Sequence, residues 1–248
     1  MMVESWIRSR QHPDEFEVNL LMRGVFKQRQ ALLFDIDGTL ADTDALHLEA
    51  FNAVFGPYGH RFDRARAARE LLGRSNASIA AEFLPDELPE RRTAIMARKE
   101  EVFRSLAAGR VEPLPGLMAL LDQADAAAIP IVAVTNAPRA NAELILAELG
   151  IASRFRAVII GDELPHGKPH PLPYLEGLRA VDAAPDRAVA FEDSRAGITA
   201  ATAAGIVTVG MRTNLGHDDL IAAGAALSAT AFDEPEVLAL LRRRLGGD

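Results

Sequence analysis

The chain has 248 residues, no cysteine, 49% hydrophobic residues and a formal net charge of −8. The missing cysteine excludes disulfides, thiolate metal sites and cysteine nucleophiles. The acidic balance argues against nucleic acid or an anionic membrane surface as partner, since both call for a basic face. No apolar run reaches the length of a membrane span. The first 30 residues carry Glu4, Arg8, Arg10, Asp14 and Glu15 among scattered apolar positions and lack the apolar core of a secretory signal. A cytoplasmic protein is expected.

Residues 1–29 read as an N-terminal extension, within which Met22 is an alternative start. The first strong signal is Ala31-Leu32-Leu33-Phe34-Asp35-Ile36-Asp37-Gly38-Thr39-Leu40. A buried strand runs into two carboxylates spaced i, i+2, a spacing that lets both face one crevice. Gly38 allows a tight turn and close approach to its N–H. Two acids this close repel unless a cation lies between them or one is protonated. The pair therefore asks for a divalent metal, an acid/base role, or both; the ordinary alternative is an Asp/Gly turn at a strand end.

From Asp44 to about Arg110 the pattern is helical. Ala45–Phe55 is amphipathic and stops at Gly56-Pro57; Ala65–Leu72 stops at Gly73; Ser78–Phe83 and Glu90–Ala107 follow, with no strand pattern between them. This predicts a helical bundle of its own over residues 44–111, inserted into a core made of residues 30–43 and 112–248. Beyond Pro115 the pattern alternates. Strands are expected at Ile129–Val134, Ala157–Ile160, Ala188–Phe191 and Ile206–Val209, with helices at Leu117–Ala127, Asn141–Leu149, Pro173–Val181 and Ala196–Ala204 between them. Short β-rich runs separated by helices mean an α/β fold with a Rossmann-like parallel sheet covered on both faces. Such a sheet binds ligands at the carboxyl ends of its strands.

The polar residues at those ends define a candidate site. The first strand delivers Asp35 and Asp37, the second Thr135 and Asn136. The third leads through Gly161-Asp162-Glu163 to Lys168-Pro169, and the fourth delivers Glu192, Asp193 and Ser194. Asp35, Asp37 and Asp193 make an acidic cluster suited to a hard cation, and Mg²⁺ fits. With no cysteine and no paired histidines at ligand spacing, zinc does not. Lys168, the Thr135 hydroxyl and backbone N–H groups near Ile36 and Asn136 offer donors to an anion. Together these describe a phosphoryl clamp. Taken singly, each has an ordinary explanation: Thr135-Asn136 and Glu192-Asp193-Ser194 as helix caps, Lys168 as a solvated lysine. Their coincidence at successive strand ends favours a site.

Asp35-Ile36-Asp37-Gly38-Thr39, Thr135-Asn136, Lys168-Pro169-His170-Pro171 and Glu192-Asp193-Ser194-Arg195-Ala196-Gly197, in this order over residues 31 to about 210, resemble the motifs of the haloacid dehalogenase-like hydrolase superfamily. Within it the chain looks most like the sugar-phosphatase and β-phosphoglucomutase group, and Val134–Leu144 is similar to plant broad-range sugar phosphatases. The resemblance implies that Asp35 is the nucleophile, forming an aspartyl-phosphate. It implies that Asp37 is the acid and then the base. Asp35, the carbonyl of Asp37 and Asp193 would hold Mg²⁺ with Glu192 in support. Thr135, Asn136 and Lys168 would hold the phosphoryl group. The second acid, Asp37, disfavours dehalogenase chemistry.

The resemblance implies that the helical insertion of residues 44–111 is a cap domain that selects substrate and closes through a hinge, expected at Leu40–Thr43. The candidate cap residues are His47, Arg74, Asn76 and Lys99. Their ordinary readings are a helix-surface histidine and solvated charges, with Asp42 and Asp44 as helix caps. A mutase must hold two phosphates. Asn76 stands where the mutase pattern has an arginine, and Pro138-Arg139 stands where it has a lysine, although Lys99 matches. The expectation is therefore a Mg²⁺-dependent phosphatase of small sugar or polyol phosphates. A β-phosphoglucomutase-like mutase is the alternative, and a non-catalytic phosphate-binding module a further one. The expected partner is a small phosphorylated metabolite, with a monomer or weak homo-oligomer as the assembly.

Overall fold

The structure is a computed structural model that describes residues 29–71 and 74–246. The predicted N-terminal extension lies outside the described residues except for Arg29, as do Leu72 and Gly73 at the predicted end of the second cap helix.

Six parallel strands form one sheet in the order β3-β2-β1-β4-β5-β6. They are β1 (Arg29–Phe34), β2 (Ile131–Thr135), β3 (Phe155–Ile160), β4 (Ala183–Glu192), β5 (Val207–Met211) and β6 (Leu227–Ala229). The first five match the expected strands. β6 is an addition that the sequence reading did not contain: Leu-Ser-Ala is too short to carry a period-two pattern, and pairing with β5 supports it. β4 also begins earlier than expected, because Ala183 pairs with Arg29 ahead of the register shift in β1. Parallel strands buried on both faces read as continuous apolar runs, and all five residues of β2 are buried.

One face packs against α5 (Leu117–Ala126), α6 (Arg139–Glu148) and α10 (Pro235–Leu245). Phe34, Phe191 and Phe232 meet there with ring centroids 5.0–5.9 Å apart. The other face packs against α7 (Leu172–Ala180) and α8 (Arg195–Ala203), with Tyr174 fully buried beneath them. α9 (His217–Ala222) flanks β5 and β6.

Between β1 and α5 the chain leaves the sheet to build α1 (Asp44–Phe55), α2 (Arg64–Glu70), α3 (Asn76–Phe83) and α4 (Pro89–Ala107). Asp63 and Ser75 start α2 and α3 by accepting hydrogen bonds from the N–H groups of Arg66 and Ser78. These helices enclose an apolar centre of their own, including Phe51, Phe55, Phe62, Ile79, Phe83 and Met96. Each buried phenylalanine contributes about 2 kcal/mol from area removed from water. The exit and return segments run side by side: Ala41 bridges Pro113, and Leu114 N–H donates to the Leu40 carbonyl at 2.9 Å. No described helix is long and apolar enough to cross a membrane.

Candidate active site

Strand order reverses on either side of β1, and ligand crevices in such sheets open at that point. Register does the positioning. Phe34 pairs with Ala133 on one side and Phe191 on the other, so the strands deliver Asp35, Thr135 and Glu192 next to one another. Asp35 N–H donates to the Phe191 carbonyl at 3.0 Å, which fixes where the nucleophile candidate leaves the sheet.

Asp35, Glu192 and Asp193 each bring a carboxylate oxygen within 4.8 Å of the others, and all three are buried. Burial first, then the neighbouring carboxylates, push Asp35 up to about 8 against the opposing pull of Lys168. Burial, then Asp35, Asp44 and Glu192, hold Asp193 well above the usual carboxylate range. Three buried carboxylates this close, two of them shifted upward, mark a local deficit of positive charge. The donor set is all oxygen, which fits a hard divalent cation. Gly38 makes the approach possible: its φ is +72°, and a Cβ there would meet Asp193 Oδ2 at 2.2 Å.

Lys168 is buried in the middle of this cluster. Its Nζ donates to Asp35 Oδ1 at 2.6 Å, to the Val134 carbonyl at 2.7 Å and to Glu192 Oε1. Burial works against its charge, but Asp35 and Glu192 outweigh it and push Lys168 up to about 12. The solvated-lysine reading is thereby corrected. Glu192 also accepts from the Tyr174 hydroxyl at 2.7 Å and Ser194 Oγ at 3.2 Å. It stands behind the cluster, against Gly197, where a Cβ would overlap its carboxylate. Ser194 caps α8 through the Gly197 N–H, as the capping reading of this segment expects.

Thr135 Oγ1 accepts from the Ala137 N–H at 3.0 Å, which leaves its O–H to donate. Asn136 differs from expectation. Its Oδ1 accepts from Lys168 N at 3.0 Å and its Nδ2 donates to the Lys168 carbonyl at 3.1 Å. Both polar ends of the side chain are spent on the loop that carries Lys168. Neither residue caps α6, whose first flanking residue is Pro138 with no side-chain cap bond.

Asp37 turns toward the helical layer. Its Oδ1 accepts from Thr43 Oγ1 at 2.7 Å and lies 3.0 Å from His47 Nε2. Burial raises Asp37, but the surrounding donors, His47 first and then Thr43 and Lys99, outweigh it and hold the carboxyl below its ordinary value. His47 Nδ1 is 2.9 Å from Lys99 Nζ. An ammonium only donates, so while Lys99 is charged Nδ1 accepts and Nε2 carries the N–H toward Asp37. His47 is 8% exposed and Lys99 2%, which overturns the surface-histidine and solvated-lysine readings. The amphipathic period of α1 failed to flag His47 because its ring packs on Phe103 as an apolar residue would, with centroids 3.8 Å apart.

Lys99 is held by Glu100, at 3.1 and 3.2 Å from its two oxygens, and Asn76 donates to Glu100 Oε1 at 2.8 Å. Arg74 is directed to Glu82 Oε2 and Ser78 Oγ, both at 2.7 Å. Asp44 is buried rather than a cap, with burial and then Asp42 pushing it up to about 7. Thr43, at the start of α1, makes no side-chain cap bond, while Asp42 Oδ1 accepts from the Asp44 N–H at 3.3 Å. All of the sequence-predicted site residues except Glu192 line one cavity of about 90 Å³. Glu100 and Asn141 line it too and were missed in the sequence. Glu100 follows Lys99 directly, and neighbours in a helix are not expected to share a face.

A doubly wound α/β core with an acid–lysine cluster at its switch point defines a hydrolase-type site under a helical layer. The chain belongs to the haloacid dehalogenase-like hydrolase family, whose match spans residues 30–205. Fructose-1-phosphate phosphatase YqaB of Escherichia coli is 34% identical over 191 residues, covering 76% of this chain and 99% of that protein. A structure of CbbY from Rhodobacter sphaeroides in complex with xylulose-(1,5)bisphosphate superposes with a TM-score of 0.74 at 31% identity, over 83% of this chain and 96% of that one. β-Phosphoglucomutase from Clostridium difficile shares the fold, with a TM-score of 0.74 at 24% identity over 86% of this chain and 96% of that one.

Proposed function

We propose that the protein hydrolyses small sugar or polyol phosphate monoesters through an aspartyl-phosphate intermediate. The family and its relatives named as phosphatases carry the enzyme class, a phosphoric monoester hydrolase. The observation that carries the mechanism is the meeting of Asp35, Lys168 and Asp37 at one cavity under the helical layer.

In this reading Asp35 attacks phosphorus in line with the leaving oxygen, and its carboxylate becomes the acyl phosphate. Asp37 gives its proton to the leaving alkoxide and then takes one from the water that cleaves the acyl phosphate. Lys168, the Thr135 hydroxyl and the main-chain N–H of Asn136 hold the phosphoryl oxygens. Asn136 acts with its side chain as well, by fixing the Lys168 loop. Asp35, Asp193 and the Asp37 carbonyl would hold Mg²⁺, with Glu192 behind them; when bound, the ion supplies positive charge against the phosphoryl oxygens. The helices of residues 44–111 serve as a cap that excludes water, hinged where Leu40–Thr43 runs beside Pro113–Leu114.

A panel of sugar and polyol phosphates incubated with enzyme and Mg²⁺ tests the reading. Free phosphate is expected from several members, and none from Asp35→Asn, which is expected to fold normally. No release from any member would refute the phosphatase. Conversion of β-glucose 1-phosphate to glucose 6-phosphate in the presence of a bisphosphate would replace it with the mutase.

A further inference from the structure

Glu100, on α4, is consumed by contacts within the protein. Its Oε1 accepts from Asn76 Nδ2 at 2.8 Å and Lys99 Nζ at 3.1 Å, and its Oε2 from Asn141 Nδ2 at 2.7 Å and Lys99 Nζ at 3.2 Å. Lys99 also balances its charge. Of these donors only Asn141 belongs to the sheet domain, where it lies on α6 and is fully buried. The other end of the same amide is taken as well: Asn141 Oδ1 accepts from Arg104 Nη1 at 2.9 Å. Glu100 and Arg104 stand one turn apart on one face of α4. A single turn of the helical layer therefore grips both polar ends of one core side chain.

The grip is continuous with the active site. Lys99 Nζ meets His47 Nδ1 at 2.9 Å, and His47 Nε2 meets Asp37 Oδ1 at 3.0 Å. One run of polar contacts thus leaves the core at Asp37, passes through His47, Lys99 and Glu100, and returns to the core at Asn141. A swing of the helical layer about Leu40–Thr43 carries Glu100 and Arg104 away with α4, while Asn141 stays with the sheet. Water then replaces the lost bonds, so what favours the seated layer is their net worth. Bonds with a charged partner keep more of that worth than neutral ones, and both bonds at Asn141 have one.

We propose that Asn141 is the catch of the helical layer: Glu100 and Arg104 close on its amide when the layer seats on the core and let go of it when the layer lifts. The inference rests on the reading of residues 44–111 as a hinged cap and is independent of which phosphate ester is hydrolysed. Losing the catch is expected to move the ratio of seated to lifted molecules roughly tenfold or more toward the lifted state.

The chain has no cysteine, so two introduced ones can be labelled cleanly. Leu88, 71% exposed just before α4, and Leu175, 39% exposed on α7, place one spin label on each layer as Leu88→Cys and Leu175→Cys. Pulsed electron paramagnetic resonance then reads the distance between them. The labelled parent is expected to show one dominant distance. Asn141→Ala is expected to add a second population, raising its ratio to the first roughly tenfold or more, and Arg104→Met to do the same by a smaller factor. Asn76→Ala removes a bond to the same carboxylate from within the helical layer and is expected to keep the parent distribution. Two populations already present in the parent, in a ratio that Asn141→Ala leaves unchanged, would overturn the catch and leave the hinged cap standing. So would an equal shift in Asn76→Ala. One unaltered distance in the parent and every variant would bring down the hinged cap and this inference with it. Should Asn141→Ala not fold, Arg104→Met, which keeps Asn141 in place, decides.

Discussion

Lys168 Nζ donates to Asp35 Oδ1 across 2.6 Å, joining residues 133 apart in the chain. The same ammonium reaches Glu192, so one cation compensates two buried carboxylates. Breaking a buried pair leaves an uncompensated charge, which costs about 3–5 kcal/mol. Lys168→Met is therefore expected to lower stability by that order in denaturant unfolding and to reduce kcat by about 10²-fold or more, as loss of a phosphoryl donor does. Adding Glu192→Gln is expected to restore part of the stability and none of the activity. A double variant no more stable than the single one would show that the pairing is not what holds Lys168 in place.

The raised Asp35 makes metal-free stability depend on pH, and the sign is fixed by linkage. Its folded value is about 8 against an ordinary 3.8. Between those values the native state holds a proton that the unfolded state has lost, so stability falls as pH rises and levels off above about 8. Asp193 shifts in the same direction. A divalent ion binds the ionised carboxylates and so competes with those protons. The rise in Tm on adding Mg²⁺ is expected to be larger at pH 8.5 than at pH 5.5, approaching the equivalent of about 2.7 kcal/mol when the ion is at a hundred times its Kd. Thermal melts with and without Mg²⁺ at the two pH values check this. An equal gain at both would separate metal binding from these acids.

The strand ends were legible because each carries a polar group directly after an apolar run, as Asp35 does after Phe34 and Thr135 after Val134. Parallel register then brings them together with no further information. The helical layer was legible as helices, but the roles of its side chains were not. His47 and Lys99 look like surface residues in sequence, and the packing of α1 against α4 brings them together, with His47 on Phe103 and Lys99 over Phe51. Glu100 and Asn141 lie 41 residues apart on different layers, so no local pattern links them. The Asn136 side chain is bonded to the Lys168 backbone, a contact between residues 32 apart that no local pattern links. β6 was missed because its stability comes from its partner strand, not from its own residues.

Gly38 combines a positive φ with a close approach. An alanine there is strained by its φ of +72° and drives its Cβ to 2.2 Å from Asp193 Oδ2. Gly59 has a similar φ of +82° with nothing within 4 Å of a Cβ. Both Gly→Ala changes are expected to cost about 1–2 kcal/mol of backbone strain. Only Gly38→Ala is expected to displace Asp193, weakening Mg²⁺ binding about tenfold or more and activity with it. Calorimetric titration of Mg²⁺ into the two variants separates strain from displacement. Equal, wild-type-like binding in both would remove Asp193 from the ion site.

Asp37 and His47 make the last prediction, because their contact couples the proposed proton carrier to the helical layer. His47 Nε2 and Thr43 Oγ1 both meet Asp37 Oδ1, at 3.0 and 2.7 Å, and leave Oδ2 for the reaction. His47 leads the groups that hold Asp37 below its ordinary value against burial. In His47→Ala burial gains weight and Asp37 protonates at higher pH. Asp37 must be ionised to accept the proton from the hydrolytic water, so where cleavage of the acyl phosphate limits kcat the acid limb of its profile is expected to move upward. Activity should fall more at pH 6 than at pH 8, within the 10²–10⁴-fold range roughly spanned by general acid–base catalysis. Thr43→Val, which removes the other donor, should move the limb in the same direction. A uniform loss of kcat with the limb unmoved in both variants would mean that His47 and Thr43 only pack the hinge and do not tune the acid.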